Sequence, residues 1–352
     1  GKLSVGVLLN GSSKSREHCR VTVGVLLGIG VLCLAAYYAI YLPYTERHVT
    51  ASQKVRILMD TSVDIRVDAR NSEPLVNQAF AEIERVEETL SRYINTSEVS
   101  TINSHAGEWV EVSQITIELI KEALRIAELS DGAFDVTVGA VMDLWGFGTG
   151  QYKVPSEEEI AQALETVGYE RVEIDESKRQ VRIPEGTVLD LGGIAKGFAV
   201  DEAAKFLRKN NVKRAIINAG GDIAAIGRRP DDTPWRVGVQ NPDNPSDIRW
   251  ILPLENSCVV TSGDYQRYFV YDDQKWHHII DPRTGYPASE LQSVTIITER
   301  ATLADALSTA IFVLGMDAGS QLVEEMEDVE AIIVSRDAVW ISPNLNKQVT
   351  SR

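Results

Sequence analysis

From Val21 to Tyr44 the chain reads VTVGVLLGIGVLCLAAYYAIYLPY, a run without a single charge. That length matches the hydrocarbon thickness a helix must cross. Lys14, Arg16 and Arg20 precede it, and Tyr37, Tyr38, Tyr41 and Tyr44 crowd its far end before Glu46. The positive-inside bias then orients residues 1–20 to the cytoplasm and the rest of the chain outward. A buried core helix would carry a polar face, which this run lacks. Cys33 invites a lipoprotein reading, but Leu32 before it is bulkier than signal processing favours, so an uncleaved anchor over 21–44 is expected. The expected organisation is a short cytoplasmic segment (1–20), the anchor, a linker (45–53), one large body (54–345) and a tail (346–352).

The body has globular composition, with the whole chain 44% hydrophobic and 24% charged. Residues 54–69 alternate like a strand, and 73–93 place Val76, Phe80, Ile83, Val86 and Leu90 at helical spacing. Further helices are expected over 113–130, over 156–167 with a Ser156/Glu159 capping box, over 201–212 and over 303–315. Residues 172–184 read as a hairpin, 214–227 as a strand with an internal glycine break, and Glu330–Ser335 and 338–343 as strands. Strands and helices interleave without a strict βαβ period, which predicts an α+β fold of mixed and antiparallel sheets with packed helices.

Charge narrows the partners. With 35 basic against 51 acidic residues, net −16, a nucleic-acid partner is not expected. An anionic phosphorylated ligand would need a cation between it and the protein. Cys19, Cys33 and Cys258 are too few and too scattered for a disulfide framework or a thiolate metal site.

Five stretches could carry chemistry, and each has an ordinary structural reading beside it. HHIIDPRTGYP (277–287) puts two imidazoles where a strand ending at Ile279 and Ile280 meets a turn; it could equally be a surface hairpin. LDLGGIAKGFAVDEA (189–203) is a strand-to-helix junction whose amides and Lys196 could hold an anion, or a glycine-rich packing turn; it matches neither phosphate-loop nor dinucleotide fingerprint. NAGGD, ending at Asp222, reads as a close backbone approach or as a β-bulge, and DGAFDVT (131–137) as a ring-stacking site or as core anchors. Asp305 and Thr309, at i and i+4 on an otherwise apolar helix, place two oxygens on one face, as a hard cation such as Mg²⁺ would require. A capped or solvent-facing polar stripe is the alternative.

Taken together and in order, MDTSVDI, DGAFDVT, LDLGGIAKGFAVD, NAGGD, TSGDYQRYF, HHIIDPRTG and TLADALSTA resemble the ApbE-type flavin transferases, the FAD:protein FMN transferases, over about residues 54–345. The resemblance implies an ApbE-like, tandem T-fold-like body that uses Mg²⁺ to cleave the FAD diphosphate, attaches FMN to a threonine or serine of an acceptor protein and releases AMP. It implies Asp305, Thr309 and the backbone oxygen of Gly193 as Mg²⁺ ligands, and a flavin site lined by Met59, Tyr93, Ala133, Phe134, Asp135, Asp190, Lys196 and Ile279. His278 would be the general base on the acceptor hydroxyl, rate falling below about pH 6. His277, on the opposite strand face, would matter little. The family commonly has Met-Gly-Thr where this chain has Met59-Asp60-Thr61. Acceptors in the family are often redox-pump subunits or extracytoplasmic electron-transfer proteins, which implies a single-pass protein of the bacterial inner membrane facing the periplasm. An FAD pyrophosphatase yielding FMN and AMP, or a non-catalytic flavin-binding protein, would use much of the same site.

Overall fold

Met59 and Asp60 both take left-handed backbone, φ 51° and 56°. This two-residue turn splits the stretch expected as one strand into β1 (Thr50–Leu58) and β2 (Thr61–Ala69). The structure is a computed structural model that describes residues 37 and 50–351. Apart from Tyr37, the expected membrane segment therefore lies outside the described residues. Among the described residues no helix is long and apolar enough to cross a membrane. Residues Ala51–Arg352 form one compact unit.

After β2 comes α1 (Ser72–Leu90), which buries Val76, Phe80, Ile83, Val86 and Leu90 as their spacing predicts. α2 (Glu98–Ser104) starts where the Ser97 side chain accepts from Ser100 N. β3 (Val110–Glu111), α3 (Gln114–Leu129) and α4 (Gly139–Trp145) follow. α5 (Glu157–Leu164) has the full Ser156/Glu159 capping box, and β4 (Glu173–Asp175) with β5 (Gln180–Arg182) makes the expected hairpin. α6 (Ala195–Lys209) begins at Ala195 rather than near Asp201. Glycine and lysine do not stop it there, because packing against neighbouring helices outweighs weak local propensity.

The glycine break divides 214–227 into β6 (Ala215–Ala219) and β7 (Asp222–Ile226), an antiparallel hairpin rather than a bulged strand. β8 (Trp235–Asn241) and β9 (Asn244–Leu254) pair next, then β10 (Cys258–Gly263) and the hairpin β11 (Tyr268–Tyr271) with β12 (Gln274–His277). β12 ends at His277. Ile279 and Ile280, expected as strand, are buried in the following turn. β13 (Leu291–Thr298), α7 (Ala301–Leu314), α8 (Met316–Glu324), β14 (Glu330–Ser335) and β15 (Val339–Ile341) complete the large sheet and its helices. β16 (Thr350–Ser351), in the segment expected as a tail, pairs with β9, and β1 takes in residues expected as linker.

The large sheet runs β1-β2-β6-β7-β10-β13-β14-β15, antiparallel from β2 onward. Its strands alternate in the period of two that strands impose. Ala331 and Ile333 join the core beneath α1, α6 and α7, while Ile332 and Val334 face Trp235, Trp250 and Leu252 of the β16-β9-β8 sheet. A third apolar cluster, Val141, Trp145, Phe147 and Ile160 with Phe269 and Trp276, seats the β11–β12 hairpin on α4 and α5. Trp145 is its centre, 5.0 Å from the Trp276 ring and donating from Nε1 to Gly285 O at 2.8 Å. The fold is the α+β architecture expected, and one cleft opens where the helices, the hairpin and the β2–β6–β7 turns meet.

Candidate active site

Gly197 fixes the floor of the cleft. A Cβ there would sit 2.2 Å from Ala301 O and 2.7 Å from Asp305 Cβ, so only glycine lets α6 cross α7 this closely. The crossing is held by Gly197 N donating to Asp305 Oδ2 at 2.9 Å. Asp201 of α6 also caps α7, accepting from Ala301 N and Thr302 N at 2.9 Å. Lys196 and Asp305 therefore meet across two helices. The Lys196 ammonium pairs with Asp222 Oδ1 and stands 3.9 Å from Asp305 Oδ1. Burial opposes its charge, and the two carboxylates more than offset that, raising its pKa. Burial and the neighbouring Asp305 push the Asp222 carboxyl above the usual carboxylate range. Thr309 lies one turn along α7, and a Cβ on Gly193 would fall 3.6 Å from its Oγ1 and 3.1 Å from the Phe134 ring. The glycine-rich turn thus lies close to both, and a methyl at Gly193 would crowd only the Phe134 ring.

The wall beside this corner is built from carboxylates already in use. Asp135 accepts from Thr137 N at 2.7 Å and from Tyr169 N at 3.0 Å, folding its own loop behind the buried Ala133 and Phe134. Burial raises its pKa in spite of those bonds. Asp190 accepts from Gly192 N at 2.8 Å and from Arg92 Nη1 at 3.0 Å, and Arg92 Nη2 donates to Asp143 at 2.6 Å. Burial works against the Arg92 charge, and these carboxylates reverse it, raising its pKa. The next residue, Tyr93, is 51% exposed, its ring 5.3 Å from the Arg92 guanidinium. Met59 N donates to Glu87 Oε1 at 2.9 Å, which holds the turn at the cleft edge. Asp60 keeps the left-handed backbone there, since aspartate is among the few non-glycine residues that tolerate it.

The opposite wall carries the histidines. His278 N donates to Arg267 O at 3.1 Å, and Nδ1 meets the same carbonyl at 3.1 Å. A carbonyl can only accept, so the proton sits on Nδ1 and Nε2 keeps its lone pair, with no protein partner. Burial, with His277, Arg267 and Lys196 nearby, lowers the His278 pKa to about 4, so the ring is neutral at physiological pH. His277 faces the other way. Its Nε2 donates to Ala288 O at 2.7 Å, its Nδ1 accepts from Ile279 N at 3.2 Å, and its ring packs edge-on against Phe312. Tyr265 also lines the cleft, with a buried hydroxyl that has no partner and a pKa pushed up to about 12 by burial.

The cleft encloses about 680 Å³ and is lined by all twelve residues named from the sequence: Met59, Tyr93, Ala133, Phe134, Asp135, Asp190, Gly193, Lys196, His278, Ile279, Asp305 and Thr309. Arg92, Glu87, Tyr265 and the Arg267 carbonyl were not singled out. Arg92 pairs with a residue 98 positions away, which no local pattern reveals. Tyr265 and Arg267 lie inside TSGDYQRYF, so only their roles were hidden. Among the described residues no group of three or more His, Cys, Asp or Glu could hold a metal. The Asp305 carboxylate, the Thr309 hydroxyl and the Gly193 carbonyl are all hard oxygens. That set fits a cation such as Mg²⁺, which keeps water and takes the rest of its shell from substrate phosphates.

The ApbE family model matches residues 59–333. The chain belongs to the ApbE family. Its curated relatives include an FAD:protein FMN transferase of Klebsiella pneumoniae, 34% identical over 82% of this chain and 90% of that protein. One of Vibrio cholerae is 35% identical over 72% of this chain and 78% of that protein. Among solved ApbE structures, that of the Thermotoga maritima ApbE protein superposes with a TM-score of 0.80 at 40% identity, covering 85% of this chain and 99% of the other. The Vibrio cholerae flavin transferase ApbE gives 0.77 at 30% identity, with coverage of 85% and 99%.

Proposed function

We propose that this chain is a Mg²⁺-dependent FAD:protein FMN transferase, which moves FMN from FAD to a threonine or serine hydroxyl of an acceptor protein and releases AMP. The observation that carries the reading is one cleft holding both a hard-oxygen corner with an ammonium and a neutral imidazole whose Nε2 is free. Gly193, Asp305 and Thr309 would hold Mg²⁺, which when bound would neutralise diphosphate charge. Lys196 adds a second positive charge to that corner. Phe134, Ala133 and Ile279 give the flavin an apolar bed, and Tyr93 a ring at the rim.

His278 Nε2 takes the proton of the acceptor hydroxyl as its oxygen attacks the phosphorus on the FMN side. The bond from that phosphorus to the bridging oxygen breaks, and AMP leaves with the electron pair. The Arg267 carbonyl holds the ring and its tautomer throughout. A ring titrating near 4 is unprotonated at physiological pH but a weak base; the arriving diphosphate, negatively charged, pulls its pKa back up.

The same reading places the body on the periplasmic side of a bacterial inner membrane, supported by the uncharged run 21–44 with Lys14, Arg16 and Arg20 ahead of it. There it would meet redox-pump subunits or extracytoplasmic electron-transfer proteins as acceptors. Incubation of candidate acceptors with enzyme, FAD and Mg²⁺, followed by mass spectrometry, tests the proposal. A covalent FMN adduct on threonine or serine supports transfer. Free FMN and AMP with unmodified acceptor would make the protein a pyrophosphatase, and intact FAD a flavin-binding protein.

A further inference from the structure

Asp222 takes no part in the reaction described above, yet it is 1% exposed and sits against the group that does. The NAGGD stretch explains how it gets there. Gly220 and Gly221 turn the β6–β7 hairpin with φ of 60° and 105°, and Asn218 Oδ1 accepts from Gly221 N at 2.9 Å to close it. A Cβ on Gly220 would fall 2.3 Å from Thr61 Oγ1, so the turn is pressed against β2 at the edge of the cleft. Asp222, the first residue of β7, is thereby set beneath Lys196.

Its bonding differs from that of the other aspartates of this region. Asp201 caps α7, Asp135 folds its own loop and Asp305 binds Gly197 N. Asp222 Oδ1 has Lys196, and Oδ2, with the Asp305 carboxylate nearby, has no hydrogen-bond donor. A carboxylate buried with one partner is a poor way to stabilise a fold. The Lys196 ammonium lies between two carboxylates, in contact with Asp222 and 3.9 Å from Asp305 Oδ1. If the Asp222 carboxylate is removed by substitution, the carboxylate left beside that ammonium is Asp305.

We infer that Asp222 is a positioning residue that tethers Lys196 away from Asp305, leaving Asp305 Oδ1 open for the cation. The inference rests on the flavin-transfer reading only for the presence of a cation at Asp305. Without the tether, Lys196 closes on Asp305 and competes with the metal for its oxygen. Asp222 acts through Lys196, so its effect disappears when Lys196 is uncharged.

The test is a double-mutant cycle on the full chain with Asp222→Asn, Lys196→Met and both together. Mg²⁺ is titrated by calorimetry into each FAD-loaded protein, and the melting temperature of each metal-free protein is recorded. Asp222→Asn should weaken Mg²⁺ binding by about tenfold or more, because a lysine now occupies a ligand oxygen. In the Lys196→Met background the same change should leave Mg²⁺ affinity within about twofold, since the competitor is gone. The metal-free melting temperatures should show the same coupling: Asp222→Asn alone lowers the value and the double variant regains part of the loss, because breaking one side of a buried pair costs more than removing both. Equal weakening in both backgrounds overturns the tether, as does unchanged Mg²⁺ affinity in Asp222→Asn. A wild-type protein that binds FAD but no Mg²⁺ overturns the cation corner itself, a failure of the functional reading separable from the other two.

Discussion

At the scale of single residues the two adjacent histidines divide their work by the faces they present. His278→Ala should slow single-turnover transfer by roughly 10²- to 10⁴-fold, the usual share of general acid–base catalysis, with FAD binding retained. His277 is less expendable than its position in a strand suggests. It joins Ala288 O to Ile279 N from inside the core, so His277→Ala should cost about 1–3 kcal/mol of stability while leaving the chemical step nearly intact. Denaturant midpoints and transfer rates measured on both variants separate the two roles. The same burial revises the pH dependence. A reference imidazole would lose activity below about pH 6, but a base held at about 4 stays unprotonated far lower. Its rate contribution is present above that pKa and lost as pH falls through it, so kcat/KM should hold to below pH 5; a break near 6 would show that another group is the base. Asp305→Ala should remove Mg²⁺-dependent turnover, by several kcal/mol of transition-state stabilisation, and undiminished activity across a Mg²⁺ titration would exclude it as a ligand.

Secondary-structure elements enter the chemistry through their crossings. α6 and α7 approach so closely at Gly197 that one methyl group has no space, and the atoms it would meet are backbone and Cβ, which cannot swing away. Gly197→Ala should therefore separate the helices, destabilising the protein by about 1–3 kcal/mol and weakening FAD binding, because Lys196 and Asp305 sit on opposite sides of that contact. Equilibrium unfolding together with flavin fluorescence titration checks both effects. A variant with wild-type stability would mean the crossing is looser than described.

Across the whole molecule, acid should act on the fold as well as on the reaction. His277 and His278 both have pKa values lowered chiefly by burial, so the unfolded chain binds protons that the folded chain does not. Stability from this source is complete above about pH 6.5 and falls as pH drops toward the folded values. Melting temperatures recorded from pH 7 to 4 should fall more steeply in wild type than in a His277→Gln variant. Parallel curves would show that the imidazoles are not responsible. The apolar run ends before β1 begins at Thr50, so a chain starting there should remain in solution without detergent and keep its flavin site, measurable by FAD titration after ultracentrifugation.

What the sequence determined by itself was local or motif-borne. Apolar spacing gave α1 and α3, the Ser156/Glu159 pair gave the start of α5, and the family resemblance carried by the ordered motifs implied twelve residues that all lie along the cleft. Such signals are legible because each is set by neighbours within a few residues. Tertiary structure alone decided the rest. It broke 54–69 at Met59-Asp60, started α6 at Ala195, tied Arg92 to Asp190, and turned His277 into a core pin beside an imidazole of lowered pKa. These depend on burial and on partners far away in the chain, and desolvation and long-range pairing exist only once the chain has closed on itself.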